Sequence, residues 1–266
     1  MQARRTFTVC TLSLAALVAN AHDTWFEAPK ASNARLELRL GTGNRYPVHQ
    51  TGIGAEYLER QGCRGPQSTD PEQHMAPARN DEHALVLRLP RRAVTCWAQL
   101  VPLDIELTPE MVAVYLREVQ APAEVRGQWS KMQAQGLPWK ERYIKHARID
   151  ERVATGHSPG PAPMAMDIVR SAATTLGWQF QVLKDGAPLV GQAMELISES
   201  ATHGLWRLTD AQGRVAWPSL PTGRWLLRGT HLRPSDEDPT RWDSGFVTLA
   251  FEVPPVAVSA IRPGVR

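Results

Sequence analysis

The sequence predicts a mainly β protein, built as two antiparallel β-sandwich domains with a short helical insertion between them. Three observations carry this expectation. Residues 34–40, "ARLELRL", alternate Leu36, Leu38 and Leu40 with Glu37 and Arg39, the period of two that marks a strand with one buried face. From residue 178 onward, short strand-like runs recur at about ten-residue intervals between Gly and Pro turn signals, the pattern of an antiparallel sandwich. Only within about 109–146 does the apolar spacing change to that of a helix.

At the start of the chain, Arg4 and Arg5 precede an apolar run from Phe7 to Val18 and then the small-x-small pattern Ala19-Asn20-Ala21. Residues 1–21 therefore read as a signal peptide cut after Ala21, by the general secretory or the twin-arginine route, and the protein is expected in the periplasm. No other apolar stretch approaches the roughly 20 residues that a membrane-spanning helix needs. Of the three cysteines, Cys10 leaves with the signal peptide. Cys63 and Cys96 then remain together in an oxidising compartment, and a disulfide between them is expected.

Residues 22–157 form the expected N-terminal β-rich domain. "HALVLRLP" (83–90) and "AVTCWAQLVPL" (93–103) follow the first strand, whereas residues 41–54 and 64–82, rich in Gly, Pro, Asn and Asp, read as loops. Thr108 is suited to cap a helix with Pro109 at its first position, and Val112, Tyr115, Leu116 and Val119 share a face. A second helix starts at Pro122, carries Val125, Trp129 and Met132 on one side, and stops at Gly136. Residues 139–149, "WKERYIKHARI", fit either a helix or a strand. The Pro- and Gly-rich segment "ATGHSPGPAPMAM" suppresses both and marks a linker at 158–170. Residues 171–254 form the C-terminal sandwich, with turns at Asp185-Gly186, Asp210–Gly213 and Pro221–Gly223, and 255–266 are a tail.

The phrases "VLKDGAPLVGQAMEL", "TDAQGRVAWPSLPTGRWLLRGTHLR" and "FVTLAFEV" resemble the C-terminal module of a family of exported bacterial domains of unknown function linked to nickel and cobalt uptake. "AHDTWFEAPK" is similar to that family's mature N-terminus. The resemblance implies a transthyretin-like or Ig-like C-terminal sandwich, a metal ion as ligand and an envelope metal-uptake system as partner. The same turn motifs also occur in transthyretin-like and adhesin stalk domains that bind no metal, so fold similarity does not by itself fix function.

Function classes can be narrowed from the residues. Thirty Lys and Arg stand against 27 Asp and Glu, and two of the arginines leave with the signal peptide. The mature chain has no basic balance of the kind that nucleic-acid binding requires. It carries no G-x-S-x-G, no phosphate-cradling glycine loop and, with the disulfide formed, no free cysteine nucleophile, so no enzymatic activity is expected. Eight histidines are present, but none has H-x-H, H-x-x-x-H or H-E-x-x-H spacing, so any metal site must be assembled from distant segments.

Three histidines are candidate metal ligands. His22 would become the first mature residue, and its α-amino and imidazole nitrogens would together chelate a divalent transition metal: nickel, cobalt or copper. His83 shares strand parity with Leu85, Leu87 and Leu89, which points it inward. His146 shares a face with Trp139 and Tyr143 if that stretch is helical. Asp236, Glu237 and Asp238 offer oxygen ligands better matched to calcium. The expectation is a non-enzymatic, periplasmic metal-handling accessory protein. The alternatives are an envelope interaction module without metal and, third, a copper-dependent oxidative enzyme built on His22.

Overall fold

The structure, a computed structural model, describes residues 22–32, 35–66, 71–90, 93–150, 160–171 and 177–255, with backbone only for 28–32 and 35–36. The predicted signal peptide (1–21) and the tail beyond Pro255 lie outside the described residues. The chain is mainly β, as expected, with two α-helices among the described residues.

In chain order the strands of the first half are β1 (Asp23–Ser32), β2 (Arg35–Gly43), β3 (Thr51–Gly52), β4 (Leu58–Arg64), β5 (Ala76–Asn80), β6 (Leu85–Arg88), β7 (Thr95–Leu100) and β8 (Leu103–Leu107). Helices α1 (Pro109–Glu118) and α2 (Ala123–Ala134) lead to β9 (Trp139–Asp150). The second half contains β10 (Met166–Arg170), β11 (Trp178–Lys184), β12 (Ala187–Pro188), β13 (Ala193–Ser198), β14 (Leu205–Leu208), β15 (Arg214–Trp217), β16 (Gly223–Pro234) and β17 (Arg241–Val253).

These strands form three sheets stacked as layers. The central, eight-stranded sheet runs β14-β13-β16-β17-β9-β7-β4, with β8 also pairing β9. Its strands come from both sides of the expected linker. The junction is the parallel pairing of β9 with β17, in register from Lys140↔Arg241 to Asp150↔Phe251. A five-stranded sheet, β1-β2-β6-β5 with β3 beside β2, covers part of one face, and a four-stranded sheet of β10, β11, β12 and β15 covers the other. Two sandwich cores therefore share one middle layer. Trp25, Phe26, Leu38, Leu40, Leu85 and Leu87 pack onto Ala147, Ile149, Leu226 and Ala250 on one side. Met166, Ile168, Phe180 and Val182 meet Leu227, Val247 and Leu249 on the other.

The helices cap the remainder of the first face. Thr108 Oγ1 accepts from the Met111 N–H at 3.4 Å, Pro109 occupies the first turn, and Val112, Tyr115, Leu116, Val125, Trp129 and Met132 are buried against Trp139, Leu232, Trp242 and Phe246. The Trp139 and Trp242 rings stack at 4.6 Å.

Three local differences from the sequence reading have physical causes. The helical segment ends at Ala134, and residues 139–150 are strand. Both faces of β9 are covered, so apolar alternation is lost and the pattern alone is ambiguous. Met166–Arg170, within the predicted linker, is strand because Met166 and Ile168 fill the second core. Ala76–Asn80, within a predicted loop, pairs with β6 as a mostly exposed edge strand despite Pro77, which falls at a register shift where strand proline is tolerated.

Cys63 and Cys96 face each other across β4 and β7 and are disulfide-bonded, with their Cα atoms 4.1 Å apart.

Candidate functional site

A cavity of about 560 Å³ lies at the seam where the N-terminal sheet and the end of α1 meet over the central sheet. Asp23 and Asn44 line it from one side, Arg117 and Gln120 from the helix end, and Glu195, Trp206, Arg228 and Phe246 from the central sheet. Gln120 closes the helix with φ of 48°, which carries the chain across the cavity's edge.

Its floor is an ion triad. Arg228, on β16, bonds Asp23 through Nη1 and donates to Glu195 Oε2 through Nε at 2.8 Å and Nη2 at 2.6 Å. Asp23 and Glu195 are both buried, and paired charged hydrogen bonds of this geometry fix position as well as charge. Strand β1 is held down beside them, since Thr248 Oγ1 donates to the Thr24 carbonyl at 2.6 Å and Trp25 and Phe26 are buried. Lys145 adds a cation next to this region. Its Nζ lies 5.5 Å from the Tyr143 ring centroid and 6.0 Å from that of Phe246, and burial pushes the ammonium down to about 8, against the pull of Asp23.

Under the helices a second buried charge is fully engaged. Glu141 accepts from Tyr115 Oη (3.0 Å), from Trp139 Nε1 (2.8 Å) and from Ser244 Oγ. On the opposite face Arg148 donates to Asp150 and Asp167, both at 2.8 Å, and to the Gly160 carbonyl at 3.0 Å. This network ties β9 to β10 and is structural, as Arg148, Asp150 and Asp167 are all buried.

The three predicted metal ligands are not brought together. His22 is half-buried and immediately precedes Asp23 in the cavity wall. His83 sits in the turn before β6 and points outward instead of into the core. Its side chain is 51% exposed, and Nδ1 lies 3.3 Å from the Gln50 carbonyl. The strand's inward face starts only with Leu85, because Asp81 caps the turn by accepting from the His83 and Ala84 N–H groups. His146 is on β9, not on a helix, and faces the four-stranded sheet while Trp139 and Tyr143 face the helices. Among the described residues, no group of three or more His, Cys, Asp or Glu side chains is arranged to hold a metal ion. Asp236, Glu237 and Asp238 turn to Arg233, Arg241 and Thr240 and form a self-paired loop.

Sequence reasoning missed Arg228, Glu195, Lys145 and His49. Asp23 and Arg228 are 205 residues apart, and no local pattern connects them. His49, in a predicted loop, is buried beside Trp25: its Nε2 donates to the Trp25 carbonyl at 3.1 Å, and burial pushes the imidazole pKa down. Comparison of the chain with protein-family models, with curated proteins and with solved structures found no match. The fold and site thus define a three-layer β protein with a charged cavity beside the strand β1.

Proposed function

We propose that this protein is a non-enzymatic, periplasmic metal-handling accessory that captures a divalent transition metal, nickel, cobalt or copper, at residue 22 and passes it to an envelope uptake system. One observation carries the reading: Arg228 clamps Asp23, so the backbone next to His22 is fixed at the wall of the cavity of about 560 Å³. A chain that begins at His22 would hold its α-amino group and imidazole in one place, where the two nitrogens form a chelate. The resemblance of "AHDTWFEAPK" to the exported nickel- and cobalt-linked family supports the same reading.

The test is titration of copper(II), nickel(II) and cobalt(II) at pH 7 into protein starting at His22, and into a variant with one alanine added before it. The extension keeps the imidazole and displaces the amine. Binding that falls with the extension, as it does with His22→Ala, supports the chelate. Equal binding by native and extended proteins overturns it.

A second reading, an envelope interaction module without metal, is favoured by the edge of the central sheet. There β14, which has no further strand beside it among the described residues, exposes Leu205 (51%) and Leu208 (67%). Absence of metal binding by correctly processed protein would make that reading the preferred one.

A further inference from the structure

A second, smaller cavity of about 220 Å³ opens on the other face of the central sheet, where β10 begins above β9 and β17. Gly245 is one of its lining residues. His231 is the register partner of Gly245 across β16 and β17, and His146 lies two pairs further along on β9, opposite Val247. Both histidines line the cavity, as does Met166 from the covering strand β10. A Cβ on Gly245 would fall 2.3 Å from Met166 Sδ and 3.8 Å from His146 Cε1, so the bare glycine is what lets the thioether descend onto the sheet beside the imidazole.

The state of His146 indicates what this space accepts. Nδ1 is 3.0 Å from the Phe246 carbonyl, which can only accept, so Nδ1 carries the proton. In the neutral ring Nε2 then presents a lone pair. That nitrogen is buried and has no hydrogen-bond partner, on a residue only 1% exposed. A ring nitrogen fixed to a backbone carbonyl, with its other nitrogen left unpaired on a side chain that lines a cavity, is the arrangement in which histidine binds metals.

An anion would need a donor there, and Nε2 is not one. The surrounding cations do not call for an anion either. Arg142 is paired with Asp104, Lys184 with Asp185, and Arg233 and Arg241 both with Asp243. The Glu237 carboxylate is turned to Arg241, and what remains is two neutral imidazoles and a soft thioether, a set that selects copper(I) over nickel(II) or cobalt(II).

We infer that His146, His231 and Met166 form a soft-metal site for a monovalent ion of the copper(I) class, distinct from residue 22 and on the opposite face of the central sheet. It does not rest on the residue-22 reading.

Silver(I), a redox-inert ion of the same class, is the probe. Protein carrying His22→Ala, labelled with carbon-13 at its methionine methyl groups, is titrated with silver(I) nitrate in a chloride-free buffer and followed by calorimetry and by methyl NMR. One equivalent should bind, and the Met166 methyl resonance, assigned by its loss in Met166→Leu, should shift. Met166→Leu conserves volume in a packed position and should fold, and it and His231→Gln should each weaken binding by about tenfold or more. An unmoved Met166 methyl at silver saturation, as when the cavity holds water only, overturns the site. So does unchanged affinity in a folded Met166→Leu protein. Should that variant fail to fold, the methyl shift of the parent decides alone. Because residue 22 is already removed, failure here leaves the amino-terminal chelate untouched.

Discussion

His146 and Phe246 are joined by a hydrogen bond, imidazole Nδ1 to carbonyl oxygen at 3.0 Å, although 100 residues separate them. Their strands, β9 and β17, run parallel at the middle of the central sheet. The pairing welds the first half of the chain to the second. It also leaves β17 with one half's core on each of its faces, since Ala250 belongs to the first core and Val247 and Leu249 to the second.

Unfolding should therefore be a single transition. Ile149→Ala, in the first core, and Leu249→Ala, in the second, should each cost about 2–5 kcal/mol, and each should lower the same calorimetric midpoint. Two separable peaks, with each variant moving only one of them, would show that the shared sheet does not couple the halves.

Glu141 is held by Tyr115, Trp139 and Ser244, all donors to its carboxylate. Glu141→Gln replaces one accepting oxygen with an NH2 group, so a donor meets a donor inside the helix cap. Burial raises the carboxyl pKa while those three bonds pull it down, so the ionised form depends on keeping them. The variant should lose about 1–3 kcal/mol in urea unfolding. An unshifted midpoint would mean that the donors are not needed.

Reduction of the Cys63–Cys96 disulfide, which closes a separation of 33 residues, should cost about 3–4 kcal/mol on the loop-entropy estimate. Thiol titration of the unfolded, unreduced protein should find none free in residues 22–266. Two reactive thiols per chain would contradict the bond.

Acid should destabilise the metal-free fold partly through His146. Burial pushes its imidazole down to about 4, against an ordinary value near 6.5, with the Phe246 carbonyl bond opposing the shift. As pH falls below 6.5 the unfolded chain takes up a proton that the folded chain refuses, so stability drops until pH reaches the folded value. The slope in this window is at most about 1.4 kcal/mol per pH unit from this residue. In His146→Gln that share of the slope should vanish, so native and variant stabilities converge between pH 7 and 4. Parallel curves would show that His146 is already protonated in the fold.

By itself the sequence determined those features whose cause is local. Alternation of Leu38 and Leu40 with charged neighbours made β2, Thr108 and Pro109 started α1, Val125, Trp129 and Met132 set the buried face of α2, and compartment arithmetic paired Cys63 with Cys96. Tertiary structure alone decided that β9 is a strand, because a segment buried on both faces loses the period that would identify it. It also decided which ionisable groups meet. Arg228 finds Asp23, and His146, His231 and Met166 come to line one cavity, only after strands from both ends of the chain are set side by side. His83 shows the converse: strand parity placed it in the core, but a capped turn outranked parity at the strand's end and left it in solvent. Contacts of high sequence separation leave no periodic trace, since each partner is fixed by the register of a sheet and not by its neighbours in the chain.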